Sequence, residues 1–305
     1  MSPKEEIQRL LEVLSDFECG YLLSAVRNIS AGQRFWEGDV GIFYNEHVKT
    51  RYSNTTSNFS NIIPARQAIE EDLFLPIPIV KPYVDADRVE LPAPKRLSAS
   101  LTETMLGRRS RRSYTGEAIS LDQLSTLLQY ACGTTGFLPG YAYSRLPLRS
   151  FPSAGGLQAP EVYLSVQAVE DVPAGLYHYH PIDHVLESLK PGNHGPTLST
   201  LALGQPYIET AAVVFLISGY YERLRWKYGE RAYRYMCMDT GFLCQNLYLA
   251  AEALKMGACA IAGFIDDALE EFLGIDGQDE IAMLLLSIGV LPTDREDSAG
   301  AESSR

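Results

Sequence analysis

Apolar residues recur at helical spacing from the start of the chain, where Ile7, Leu10, Leu11, Leu14 and Phe17 form one stripe of "SPKEEIQRLLEVLSDF". Ser2 stands as N-cap, Pro3 in the first turn, and Glu5 closes a capping box, so a helix is predicted there. A second helix is marked by Ser120 before "LDQLSTLLQYACG", with Gln123 completing its capping box and Gly133 as its stop. "PEVYLSVQAV", "GLYHYH", "HVLESL", "AAVVFLISG", "ACAIAGF" and "AMLLLSIGV" carry the alternating or β-branched texture of strands. "RAYRYMCMDTGFLCQNLYLAAEALKMG" is a long helix, apolar nearly all round in its C-terminal half, which predicts burial on every side in a core or a subunit interface. "LTETML" and "DDALEEFLG" are short helices, the second capped by Asp266 or Asp267. Strands and helices interleave, yet several strands are joined by hairpin-length turns, which points to an α+β fold with a mixed central sheet flanked by helices.

The pattern breaks between Tyr52 and Pro94. Prolines at 76, 78, 82, 92 and 94 forbid helix and interior strand alike, so this stretch is an extended connector. The expected organisation is an N-terminal extension with a Pro-rich linker over 1–95, one domain over 96–292, and a disordered tail over 293–305.

Composition removes several functions. A net charge of -12 argues against neutralising the many phosphates of a nucleic acid, while leaving room for one small anion in a pocket. Neither a secretory signal nor an apolar run of the ~18 residues needed for a membrane span is present, so the expected compartment is the cytoplasm. Five cysteines without a CxxC pair read as reduced, buried thiols, Cys237 and Cys244 among them. His178, His180 and His184 fall on two strands around a Pro-Ile-Asp turn and need not converge, so no metal is expected.

Four segments could carry chemistry. "LGRRSRRSY" sets Arg108, Arg109, Arg111 and Arg112 within five positions of an acidic chain. Guanidinium forks suit phosphate or an electron-rich heterocycle, and alternation would send Arg108, Ser110 and Arg112 one way and Arg109 and Arg111 the other. "FPSAGGLQAP" strings Pro152, Ser153, Ala154, Gly155 and Gly156 together before Gln158, letting the backbone approach a planar ligand. Ala262, Gly263 and Phe264 close a strand where a backbone N–H can face a ligand atom. Lys227 and Tyr228, just before Gly229, could form an acid/base pair, since a nearby ammonium lowers a phenol's pKa. Each segment alone is also an ordinary turn, junction or helix start.

In this order the four segments resemble the nitroreductase superfamily of flavin enzymes, and more narrowly the SagB-type dehydrogenases, azoline oxidases of ribosomal peptide modification. The similarity runs from Leu101 to Pro292: an RRSxRx[FY] opening at Arg108 to Tyr114, a PSAGG loop at Pro152 to Gly156, a WKYGxRAYR helix start at Trp226 to Arg234, and a GGF turn at Ala262 to Phe264. "FYNEHVKTRY" resembles the YHExxK stretch that precedes this domain in many members. The family's common DAGH is Asp239-Thr240-Gly241-Phe242 here, and Gln158 resembles the Gln of ordinary nitroreductases.

The resemblance implies a homodimer with FMN at the interface. It places Arg108 and Ser110, with Arg109 beside them, at the phosphate and ribityl chain, and Arg112 at the N1/C2 edge. Pro152, Ser153, Ala154, Gly155 and Gln158 would lie along the ring, and Ala262 and Gly263 near N5. Lys227 and Tyr228 would be the catalytic pair acting on an azoline-containing peptide or a carrier-bound substrate, with a cyclodehydratase as the implied partner. Arg295 is a candidate phosphate ligand. Two alternatives stay open: an NAD(P)H-dependent nitroreductase, favoured by Gln158, and a flavin-free scaffold of a modification complex.

Overall fold

The computed structural model describes residues 77–141 and 143–293. The predicted first helix, the YHExxK-like stretch, Arg295 and most of the predicted tail lie outside the described residues.

The predicted strands assemble around β4 (Pro160–Val166), which is buried along its whole length. With β1 (Arg88–Glu90), β5 (Gly175–His180), β6 (Val185–Pro191), β7 (Val213–Tyr220), β8 (Met256–Ile261) and β9 (Glu280–Val290) it forms a sheet of order β1-β6-β5-β4-β7-β9-β8. Neighbouring strands are antiparallel, and parallel pairing enters where Ser110 bridges Ala258. Alternation sorts the side chains into two layers. Val162, Leu164, Val213, Phe215 and Ile217 face α2 (Leu121–Cys132) and α5 (Ala232–Ala253) in one core. Tyr163, Val214 and Leu216 pack in a second, towards α3 (Gly195–Leu201) and α6 (Asp266–Leu273).

The capping box of α2 forms as expected: Gln123 N–H donates to Ser120 Oγ (3.2 Å) and Ser120 N–H to Gln123 Oε1 (2.8 Å). Leu124, Leu127, Leu128 and Ala131 then turn one stripe onto the sheet. Helix α6 differs from expectation. Its N-cap is Ile265, and Asp266 and Asp267 lie inside the first turn, where their charges meet the positive end of the helix dipole instead of capping it.

Two further differences bear on the site. Residues 134–149, given no element from sequence, form a hairpin of β2 (Thr134–Gly140) and β3 (Tyr143–Arg149). The N-terminal half of α5, outside the stretch expected to be buried, leaves Met238 and Phe242 49% and 42% exposed, and Cys237 is exposed, not buried.

The connector is packed onto the domain from residue 77. Arg88 to Glu90 pair with β6 as an edge strand, a role compatible with the flanking prolines. Lys81 Nζ donates to Glu280 (2.7 Å) and to Tyr163 Oη (3.1 Å), and its backbone N–H to Glu161 (2.9 Å). The three histidines make separate contacts: His178 bonds Glu161 and Glu187, His184 bonds Ser125 and Tyr179, and His180 meets Asp183. Among the described residues no helix is long and apolar enough to cross a membrane.

Candidate active site

The arginine segment leaves α1 (Leu101–Gly107) and runs beside β8, with Arg111 N–H donating to Ala258 O at 2.8 Å. Extended backbone separates its side chains as the alternation predicts. Arg108 lies 5.2 Å over the Tyr248 ring, Ser110 Oγ is 3.1 Å from Tyr248 Oη, and Arg112 faces Tyr207 and Cys259. Arg109 does not join them. Its guanidinium turns back onto the Leu106 and Arg108 carbonyls, both at 2.8 Å. Tyr248, on α5, organises the set, because its Oη also accepts the Ala260 N–H of β8 at 2.7 Å. Ala262 and Gly263 follow β8 directly and are exposed.

A second set forms around the PSAGG loop. Asp239, almost fully buried on α5, accepts Ser153 Oγ–H (2.7 Å) and the Ala154 N–H (3.1 Å). Burial pushes the Asp239 carboxyl up to about 6, against the pull of those two donors. Pro152 is exposed beside it. Gln158 lies underneath, 2% exposed, its N–H on Ser153 Oγ (2.9 Å) and its side-chain amide on Pro147 O (3.3 Å). It therefore shapes the floor of the loop, with its side-chain oxygen buried and without a hydrogen-bond partner among the described residues.

Lys227 and Tyr228 end α4 (Glu222–Tyr228), which Gly229 breaks at φ 56°, ψ -141°, a conformation that needs glycine. Lys227 Nζ donates to Tyr141 Oη at 2.5 Å, and Tyr141 Oη donates to the Gly155 carbonyl at 2.9 Å. A Cβ on Gly155 would stand 2.7 Å from Tyr228 Oη, 2.8 Å from Tyr141 Oη and 2.9 Å from Lys227 Nζ. Three polar atoms thus converge on one point beside the loop.

The electrostatics correct one expectation. Lys227 does pull the Tyr228 phenol down, but burial outweighs it and leaves Tyr228 above the ordinary range. Burial also pulls the Lys227 ammonium down, and there the bond to Tyr141 and the charge of both phenols win, holding it above its usual value. At neutral pH the phenol keeps its proton and the amine its charge.

The two sets meet opposite sides of α5. Asp239 and Tyr248 are nine residues apart, which at 3.6 residues per turn is half a turn in azimuth and about 14 Å along the axis.

The sequence pattern described as "Nitroreductase family" matches residues 105–290, taking in both sets. The chain belongs to the nitroreductase family. Members are oxidoreductases that typically bind FMN. Over 203 residues the chain is 32% identical to "Putative nitroreductase MJ1384" of Methanocaldococcus jannaschii, covering 67% of this chain and 97% of that one. It is 28% identical over 157 residues to the microcin B17-processing protein McbC of Escherichia coli, covering 48% and 56% of the two chains. A crystal structure of a nitroreductase-family protein from Anabaena variabilis superposes with a TM-score of 0.57 at 28% identity, over 74% of this chain and 47% of that one. The chain thus spans nearly all of the archaeal relative and about half of the other two.

In this member of the nitroreductase family, sequence singled out some residues of the candidate site and missed others. The motif residues are contiguous and legible. Tyr141, Tyr248 and the clasp by Asp239 are single side chains acting on partners far away in sequence, and only the family-like Asp-x-Gly at 239–241 hinted at the last.

Proposed function

We propose that this nitroreductase-family protein is an FMN-dependent dehydrogenase that oxidises thiazoline or oxazoline rings, or a related carrier-bound intermediate, in peptide natural-product biosynthesis. The observation that carries this reading is the convergence of Lys227, Tyr228 and Tyr141 on Gly155. A hydride donor that must also lose a proton needs a proton-handling group beside the redox face, and this cluster stands against the loop expected to line it.

The residues present fit FMN. Arg108 and Ser110, aligned by Tyr248, would hold the phosphate and ribityl chain, and Arg112 would supply positive charge at the N1/C2 edge. Any side chain on Gly155 would crowd the three polar atoms, so glycine is needed there for the cluster to stand against the loop expected to line the ring. When bound, FMN would supply the hydride acceptor, with dioxygen as the final oxidant. The chain's own task is to take the ring proton, which goes to Tyr228 Oη once that phenol is ionised, with the Lys227 ammonium stabilising the phenolate. The separation of the two residue sets across α5 supports a site completed by a second copy of the chain. The likeness to McbC, a microcin B17-processing protein, supports a peptide substrate; a cyclodehydratase partner belongs to the same reading.

The test is oxidation of an azoline-containing peptide by the purified yellow protein, read as loss of two hydrogens per ring by mass spectrometry, without added NAD(P)H. Rapid NAD(P)H consumption with a nitroaromatic and no azoline oxidation would establish the nitroreductase reading instead. Protein lacking absorbance near ~450 nm after FMN is supplied would leave only a scaffold.

A further inference from the structure

The hairpin β2–β3 brings to the site a residue to which neither the motifs nor the proposed mechanism gives a defined role. We propose that Tyr141 is a positioning residue: its phenol oxygen takes the Lys227 ammonium and couples it to the Gly155 carbonyl, so that the hairpin sets where the charge beside Tyr228 sits. This rests on the catalytic assignment of Lys227 and Tyr228 made above.

Three observations carry it. Tyr141 Oη accepts a hydrogen bond from Lys227 Nζ, at 2.5 Å, and donates its own proton to Gly155 O at 2.9 Å. Its oxygen and that of Tyr228 stand 2.8 and 2.7 Å from the same point beside Gly155, so the ammonium lies between two phenols of nearly equal reach. Lastly, Tyr141 holds a left-handed backbone, φ 55°, at the hairpin turn directly after Gly140, where glycine would sit at ease. Its ring is fixed edge-on against Trp226 at 5.3 Å, one residue before Lys227.

Among the described residues, groups from the hairpin and α5 face the ammonium and Tyr228. Tyr141 comes from the hairpin. Tyr235, from α5, has its ring 4.7 Å from that of Tyr228 and its oxygen held by Arg231 at 3.1 Å. Asp239 lies across the loop on Ser153 and Ala154. When the Tyr141 hydroxyl is removed, the ammonium loses its closest acceptor and turns to Tyr228.

The experiment is NMR of the full chain labelled with 13Cζ-tyrosine, with FMN supplied, the Tyr228 signal being identified by its loss in Tyr228→Phe. In Tyr141→Phe, which keeps the ring, Tyr228 should titrate lower than in the wild type by roughly half a pH unit or more, and in Lys227→Met it should titrate higher. Tyr141→Phe should have no further effect in the Lys227→Met background. A Tyr228 titration that stays in place or moves up in Tyr141→Phe would overturn the proposal, as would a loss of thermal stability with no titration change. Because this readout needs no azoline, failure of the peptide assay and failure of this inference are separate results.

Discussion

At the scale of single residues, the site is defined by opposing effects on a few protons. Tyr228 sits above the ordinary phenol range because burial exceeds the help of Lys227. The proton-accepting form therefore gains population as pH rises, and azoline oxidation should climb through the alkaline range. Lys227→Ala removes the stabilising charge, so that limb should move to higher pH in a kcat profile. Tyr228→Phe should keep its flavin and lose oxidation by about 10²–10⁴-fold, the usual worth of a positioned acid or base. Loss of flavin from that variant would make the residue structural.

Asp239 gives a second residue-scale prediction, with the sign set by its raised pKa of about 6. Between the ordinary carboxylate range and pH 6 the folded chain holds a proton that the unfolded chain releases. This contribution to stability is therefore full at low pH and lost as pH rises through about 6. Asp239→Asn keeps an acceptor for Ser153 and Ala154 but cannot ionise. Thermal denaturation should show the variant gaining on the wild type between pH 4 and 7, by about 2–3 kcal/mol in total. A constant difference across that range would mean the carboxyl titrates normally.

Among the elements, α4 shows how a short helix is aimed. Arg223, one turn before Lys227 and 3% exposed, donates to Pro78 O (2.8 Å) and Gln158 O (2.9 Å) and pairs with Glu161. One guanidinium thereby ties the connector, the end of the PSAGG loop and the central strand to the helix bearing the proposed catalytic pair. Arg223→Met should destabilise the chain by about 3–5 kcal/mol, because Glu161 stays buried with only His178 and the Lys81 N–H in place of a guanidinium. Arg223→Lys should recover part of that stability but not the oxidation rate, since a point charge cannot hold three directions at once. The measurements are chemical denaturation and kcat on the same samples.

Elements also show what the sequence made legible. β4, β7 and α2 were readable because alternation or a capping box is written in consecutive residues. The hairpin was not, because Gly136, Pro139, Gly140 and Pro147 erase its period, and its pairing with itself is what makes it a strand pair. Helix α4 was hidden for a different reason: its seven residues merge in pattern with α5, and only the backbone of Gly229 separates them. The structure gathers the four motifs into two clusters, while the direction of each side chain, Arg109 and Gln158 included, depended on neighbours that the motifs do not contain.

For the whole molecule, the half-turn between Asp239 and Tyr248 is the decisive feature. Within one chain the guanidinium set and the glycine loop lie on opposite sides of the same helix, so under the proposed function a single planar cofactor touching both would draw them from two chains. The same helix carries the exposed apolar side chains Met238 and Phe242, whose coverage by a second copy would remove them from water. A charge placed there should separate the subunits without disturbing either cluster internally. Phe242→Glu should therefore elute as a monomer in light-scattering chromatography, keep its secondary structure, and lose FMN in the same concentration range in which it dissociates. A monomeric variant that retains one tightly bound FMN per chain would show that the site closes within a single subunit, and the reading of α5 as a shared axis would have to be abandoned.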